Sequence, residues 1–218
     1  MTIKDLSKEN SIFNYFVSEL RDVKIQKDPL RFRRNLERIG EVFAYEISKS
    51  LTYEEKEVVS PLGSAYMNLA TQQPIVSSIL RAGLPMHQGV LNYFDRADNL
   101  FVSAYRKYDK SHGSFDIQIE YVSGPDLDDR ILILTDPMLA TGQSMVLTVK
   151  ALLGRKGSPK HIHLVTAIAS VEGLEYLKKN MPENVTIWLG ALDDELTAQS
   201  YIVPGLGDAG DLAFGEKE

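Results

Sequence analysis

The sequence predicts an α/β fold: a mainly parallel sheet flanked by helices. Three observations lead there. Apolar runs rich in β-branched residues recur at 75–80, 131–134, 161–169 and 185–192, the pattern of strands buried on both faces. Segments of helical period lie between them, and parallel neighbours need such crossovers. The polar residues Arg81, Arg106 and Asp136 fall at the carboxyl ends of strands, where open α/β sheets bind ligands.

Taken in order, Phe13, Phe16 and Leu20 suggest a short amphipathic helix. Pro29 opens a longer one, its ring pre-setting the first helical φ, with Leu36, Ile39, Phe43 and Ile47 on one face. Residues 1–55 therefore read as a helical N-terminal arm. The 75–80 strand runs through Arg81-Ala-Gly-Leu into a helix with Leu84, His87, Leu91 and Phe94 on one stripe. Phe115, Ile117, Ile119 and Tyr121 alternate with Asp116, Gln118 and Glu120, a half-buried strand. Residues 109–114 before it read as a mobile hairpin tip beside Arg106. The 131–134 strand ends at Asp136 and passes through a loop of small residues into a helix carrying Val146, Val149, Leu152 and Leu153. A helix over 171–179 separates the last two strands, and 185–218 forms a C-terminal hood. No linker, repeat or low-complexity tract interrupts the chain, and 218 residues suit a single domain, 1–218, with a sizeable core.

Composition narrows the class. A net charge of −6 argues against nonspecific nucleic-acid binding, which wants a basic face. Zero cysteines excludes disulfides and thiolate metal sites and fits a reducing cytoplasm. The first residues lack the apolar core of a signal peptide, and no run approaches the ~18 apolar residues of a membrane span. The expected class is a cytoplasmic enzyme with no membrane or nucleic-acid partner.

Two segments carry the chemistry. Residues 136–144 read Asp-Pro-Met-Leu-Ala-Thr-Gly-Gln-Ser, a strand-end acid followed by a helix start. Free backbone N–H groups and the helix dipole favour an anion there, with Thr141 and Ser144 adding hydroxyl donors. Gln143 stands where a nucleoside-triphosphate loop needs lysine, so ATP or GTP hydrolysis is excluded. Residues 201–211 read Tyr-Ile-Val-Pro-Gly-Leu-Gly-Asp-Ala-Gly-Asp. Gly205, Gly207 and Gly210 satisfy the dinucleotide spacing, but too few residues follow for the required helix and acid. A glycine loop closing over a small planar ligand remains, with Pro204 setting its direction.

The acid-Pro-Met-Leu-Ala-Thr-Gly-x-Ser form resembles the 5-phosphoribosyl-1-pyrophosphate (PRPP) loop of type I phosphoribosyltransferases. With the 201–211 block it resembles the uracil phosphoribosyltransferases in particular, and the likeness runs over about 74–215. Ile-Leu-Arg-Ala-Gly around Arg81 is similar to the family's pyrophosphate-contacting turn, and Val-Ser-Ala-Tyr-Arg at 102–106 to its second PRPP arginine. The chain departs from the family after Arg106, where it reads Lys107-Tyr108-Asp109-Lys110. Leu212 follows Asp211 where a basic residue is common. Many relatives carry two acids at the loop start, whereas Thr135 precedes Asp136 here, as in the uracil branch.

The resemblance implies Mg2+-dependent transfer of ribose 5-phosphate from PRPP to N1 of uracil, giving UMP and pyrophosphate. It implies a phosphoribosyltransferase fold whose C-terminal hood binds the base. It assigns Asp136, Arg106 and Asp208 to catalysis. PRPP would be bound by Arg81, Arg106, Asp136, Pro137, Met138, Leu139, Ala140, Thr141, Gly142, Gln143, Ser144 and Asp208. Uracil would meet Tyr201, Ile202, Gly207, Asp208 and Ala209. No side chain stands out as a strong base. Mg2+ would ride mainly on PRPP oxygens, with Asp208 helping to hold PRPP or its metal, and no dedicated metal site is expected. Backbone groups of Ile202 and Gly207–Ala209 could offer a donor–acceptor–donor pattern, leaving a wrong base with buried polar groups unpaired. A homodimer or higher homo-oligomer is implied, and GTP stays open as an allosteric effector. Two alternatives share the fold: a PRPP or nucleotide sensor and an RNA-binding pyrimidine regulator.

Other conspicuous residues take plain readings. His161 and His163 share a strand face without acidic or cysteine partners, so no metal is expected there. His112 reads as an exposed tip, Trp188 as core, and Asp193-Asp194-Glu195 and 126–129 as solvated turns.

Overall fold

In the computed structural model the described residues are 1–109 and 114–216, with side chains described outside 104–120. The chain runs β1 (Thr2–Asp5), α1 (Ile12–Arg21), α2 (Pro29–Ser48), β2 (Tyr53–Ser60), β3 (Gly63–Ala70), β4 (Ile75–Ile79) and α3 (Leu84–Leu91). It continues with β5 (Asp98–Asp109), β6 (Ser114–Ser123), β7 (Ile131–Thr135), β8 (Met138–Leu139), α4 (Gln143–Lys156) and β9 (His161–Thr166). The last third holds β10 (Ile168–Ser170), α5 (Val171–Asn180), β11 (Val185–Leu189), β12 (Leu192–Asp193), β13 (Glu195–Leu196), β14 (Ile202–Val203) and α6 (Ala209–Phe214).

The mainly parallel sheet is present, seven strands in the order β1-β11-β9-β7-β4-β5-β6. Only the β5–β6 pair is antiparallel. Strand β7 sits at its centre, and its side chains alternate between two apolar layers. Ile133 joins Phe13, Leu36, Ile39 and Phe43 of α1 and α2 on one face. Leu132 and Leu134 join Val146, Val149, Leu152 and Leu177 of α4 and α5 on the other. Period-two alternation on a doubly covered strand produces the continuous apolar run seen in the sequence. Pro29 does open α2, with Asp28 accepting from the Leu30 and Arg31 N–H groups at its N-cap.

Four features depart from expectation. The N-terminal arm is not purely helical, because β1 extends the sheet beside β11. It is short and mostly exposed, so it lacks an apolar signature. Residues 53–70 form an antiparallel hairpin of two eight-residue strands. Nearly every position in it is exposed, so no buried face imposes a pattern on its sequence. The run 161–169 splits between two sheets, since β10 pairs with β8 and β12. In β6 a bulge leaves Glu120 without a partner between the Ser103–Tyr121 and Ala104–Ile119 pairs. A bulge breaks the alternation, and Tyr121 is 56% exposed instead of facing inward.

The helix that follows the Arg81 turn is held close to the core by glycine. A Cβ on Gly89 of α3 would collide with the Glu37 backbone of α2, and one on Gly40 with the Met86 backbone. Gly89→Ala should therefore cost about 1–3 kcal/mol through overpacking, read as a lower melting temperature by circular dichroism. An unchanged melt would show that the two helices separate freely.

Candidate active site

Strand β7 ends at Thr135, and the backbone turns so that Asp136 N–H donates to Val165 O at 3.0 Å. The next residues stay pinned. Pro137 O accepts from the N–H groups of Ala167 and Ile168, and β8 pairs with β10. The Ser170 hydroxyl donates to Ala140 O at 2.5 Å. Gly142 takes φ +77° at the start of α4, a left-handed conformation that suits glycine. The loop thus delivers the free N–H groups of the first turn of a 14-residue helix to one point. The small β8–β10–β12 sheet that holds it rigid was not anticipated from sequence.

The turn after β4 lies alongside. Thr135 is fully buried, and its hydroxyl lies 3.2 Å from Ser77 O and 3.3 Å from Gly83 O, joining the end of β7 to the 81–83 turn. A carboxylate here would be desolvated against two carbonyls, which explains why a single acid stands at this loop. Arg81 reaches the other way. Its Nη2 donates to Asp211 Oδ1 at 3.0 Å and to Gly215 O at 3.2 Å, tying the turn to α6.

The C-terminal block closes the third side. Strands β13 and β14 pair as a hood, and Gly205 and Gly207 take φ +54° and +95°. A Cβ on Gly205 would strike Ile202 O, whereas one on Gly207 would make only an ordinary contact with the Leu212 side chain. Asp208 caps α6, its Oδ1 accepting from the N–H groups of Gly210 (2.8 Å) and Asp211 (3.0 Å). These segments enclose a cleft of about 980 Å³. It is lined by Arg81, Asp136, Met138, Ala140 and Ser144 on one side and Tyr201, Ile202 and Gly207–Ala209 on the other.

The hood is anchored by a buried ion pair. Asp193 is only 7% exposed. Arg21 donates to both its oxygens at 2.8 and 2.7 Å, and also to Gly205 O at 2.9 Å. Gly205 N–H returns a bond to Asp193 at 2.9 Å. Burial pushes the Asp193 carboxyl up, but the Arg21 hydrogen bonds, the Gly205 N–H and the Arg21 charge outweigh it and hold it below the usual value. Helix α1 is fastened in turn to α2. Glu19 accepts from Arg31 twice at 2.7 Å and from Asn35 at 2.6 Å. The Arg31 bonds, with help from Asn35 and against burial, lower Glu19 to about 2.

A sequence profile of the uracil phosphoribosyltransferases matches residues 7–216. The chain belongs to the uracil phosphoribosyltransferase family. A relative of that name from Porphyromonas gingivalis is 56% identical over 217 residues, covering 100% of both chains. Another from Methanothermobacter thermautotrophicus is 39% identical, covering 86% of this chain and 85% of its own. Among solved structures, the AQ2163 protein from Aquifex aeolicus aligns with a TM-score of 0.86 at 31% identity, over 98% of each chain. The orotate phosphoribosyltransferase of Mycobacterium tuberculosis shares the fold, with a TM-score of 0.52 at 12% identity over 85% of this chain and 90% of its own. Family membership favours a transferase over the sensor and RNA-binding alternatives.

Within this uracil phosphoribosyltransferase fold, both motif segments meet at one cleft, although some 60 residues separate them. Pro137, Leu139, Thr141, Gly142 and Gln143 belong to the same loop and shape it without lining the cleft. The Arg106 side chain, His112 and the centre of the 109–114 tip lie outside the described residues. Trp188 is core, as expected, at 5% exposure. The reading of 193–195 as a solvated turn is corrected at Asp193. An acidic triplet looks like surface, and its partner lies 172 residues away in the chain. The only signal available was an arginine at the end of an amphipathic helix. Residues 126–129 do turn, but Leu127 is fully buried and Asp128 Oδ1 accepts from Ser158 N–H at 2.7 Å.

Proposed function

We propose that this chain transfers ribose 5-phosphate from PRPP to uracil N1, forming UMP and pyrophosphate. The observation that carries the reading is the single cleft that gathers Asp136, the α4 start and the 207–209 backbone. The N–H groups opening α4, with Thr141 and Ser144, hold the 5′-phosphate. Asp136 accepts from the ribose 2′- and 3′-hydroxyls. Its negative charge stabilises the positive charge that grows at C1′ as the bond to pyrophosphate breaks and N1 bonds in its place. Arg81 and Arg106 take the leaving pyrophosphate, for which Arg81 trades its Asp211 and Gly215 contacts against phosphate oxygens. Uracil N1 loses its proton late, so no strong base is needed. Backbone groups of Ile202 and Gly207–Ala209 read the base edge.

Mg2+ would arrive on PRPP and neutralise pyrophosphate charge. Mg2+ commonly rides on substrate phosphate oxygens with only one or two protein carboxylates beside it. Asp208 fits as its protein neighbour, since only Oδ1 serves the α6 cap. Among the described residues no helix is long and apolar enough to cross a membrane. With the absence of cysteine, that supports a cytoplasmic site of action.

A homo-oligomer is supported by the β2–β3 hairpin. Among the described residues it pairs with no other strand, and it exposes Val59 at 81%, Leu62 at 99% and Tyr66 at 67%. A lone two-stranded hairpin is marginal in water, so a second copy covering it is the natural partner. Replacing residues 55–68 with a short Asn-Gly turn should shift the protein to monomer in sedimentation velocity; an unchanged assembly would sink the hairpin interface.

The direct test supplies PRPP, Mg2+ and each of uracil, cytosine, orotate and hypoxanthine, and follows nucleotide formation. UMP from uracil alone is expected. Comparable turnover with orotate would overturn the base assignment, because the 201–211 block holds no basic residue for a carboxylate.

A further inference from the structure

Strand β7 leads into Asp136 and the first cleft, and its other end, at Ile131, opens on a second cavity of about 540 Å³. Five residues of strand span roughly 16 Å, so the two spaces share a strand but no lining residue. The second cavity lies between the carboxyl end of α2 and Lys4 of β1, Ile131 of β7, His161 and His163 of β9, and Thr186 and Trp188 of β11. Nothing in the transfer reaction uses it.

Its charge runs against that of the molecule. The chain carries −6 overall, yet the lining holds Lys4, Lys49 and Lys160 against the single acid Glu46. Glu46 is already paired with Lys49 at 2.7 Å. Among the described residues the Lys4 and Lys160 side chains have no ion-pair partner.

The cavity is also lined by an imidazole donor. His163 is 3% exposed, and its ring lies 4.7 Å from that of His161. Trp188 Nε1 can only donate, and it lies 3.0 Å from His163 Nδ1. Nδ1 is therefore the acceptor and Nε2 carries the hydrogen. Burial, with His161 adding to it, lowers His163 to about 3, so the ring stays neutral and this tautomer persists near neutral pH. Nε2–H has no hydrogen-bond acceptor among the described residues. Beside it, His161 Nε2 is engaged by the Thr186 hydroxyl at 2.9 Å. An N–H without an acceptor is available to an anion entering the cavity, and the lysines that line the same cavity raise the local potential.

We propose that this cavity is a second, non-catalytic binding site for a small polyanion bearing phosphate groups, held by Lys4, Lys160 and His163 Nε2–H. Its volume falls in the range of small-molecule sites, about 300–1,000 Å³. Phosphate oxygens supply both the counter-charge for the lysines and the acceptor that the imidazole lacks.

The site contains its own reporter, because Trp188 is the chain's only tryptophan. Inorganic tripolyphosphate would be titrated into the full chain while tryptophan fluorescence is followed. The same titration would be run on Asp136→Asn and on the double variant Lys4→Gln/Lys160→Gln. A saturable change is expected in the parent and in Asp136→Asn alike, weakened roughly tenfold or more in the double-lysine variant. Both lysines are exposed, so that variant should fold and keep its rate of UMP formation. No saturable response in the parent would overturn the proposal. So would a response lost in Asp136→Asn, which would place the anion in the catalytic cleft. A response that survives loss of both lysines would overturn it too. None of these readouts depends on the identity of the base, so the transferase reading stands or falls separately.

Discussion

Asp136→Asn should lower kcat for UMP formation by about 10²–10³-fold, the range seen when one preorganised electrostatic partner of a transition state is removed. The substitution keeps the shape of the side chain. Its Oδ1, which accepts weakly from Met138 N–H at 3.4 Å, has an equivalent in the amide, and the Asp136 backbone bond to Val165 O is untouched. What disappears is the full negative charge that the proposed reaction sets against the ribose. Ground-state PRPP still meets the α4 N–H groups and the loop hydroxyls, so KM for PRPP should move much less than kcat. That split assigns the carboxylate to the charge that develops at C1′. Steady-state kinetics at saturating uracil, with a melting curve for fold integrity, decide it. A kcat within a few-fold of the parent would remove Asp136 from the catalytic role.

The second large effect is expected far from the reacting atoms. Arg21→Ala leaves Asp193 buried with its charge uncompensated, which typically costs about 3–5 kcal/mol for an interior pair. The Arg21 side chain is 24% exposed, so solvent screening brings the expected cost just below that range, to about 2–3 kcal/mol. The same arginine holds Gly205 O, at the hinge of the base loop. KM for uracil should therefore rise, by roughly tenfold or more for a lost charge-assisted bond. KM for PRPP should stay near the parent value.

The pH dependence has a definite sign. In the parent the Asp193 carboxyl sits below its unfolded value near 3.9. Its contribution is fully present above about pH 4 and is lost as pH falls through the lower folded value. Without Arg21 only burial and the Gly205 N–H remain as large influences, and burial raises the pKa above the unfolded value. The deficit of the variant should then shrink on acidification, as protonation removes the lone buried charge. Melting temperatures of both proteins between pH 4 and 8 would show the curves converge toward acid; parallel curves would exclude Asp193 as the cause.

The parts legible in the sequence are those with short-range physical causes. A strand covered on both faces is apolar on both sides of its pleat rather than at alternate positions only, which marked β4, β7, β9 and β11. A helix covered on one face must repeat its apolar residues every three or four positions, which marked α1, α2, α3 and α4. An anion at a helix start requires small residues and hydroxyls at close spacing, which marked 136–144. Four glycine and proline positions within a few residues marked the base loop in the same way. Where burial is absent, that logic has nothing to act on, and both β1 and the β2–β3 hairpin went unread.

By itself, then, the sequence determined the class of fold, the order of its main elements and the two loops that line one cleft, because each is dictated by neighbours a few residues apart. Only the tertiary structure decided what holds those loops in place. It turned Asp193 from an apparent surface acid into the anchor of the hood, made Thr135 a bridge between two strand ends, and gathered lysines and histidines around a second cavity. In each case the partners are distant in sequence, and their pairing energy exists only once folding has removed water between them.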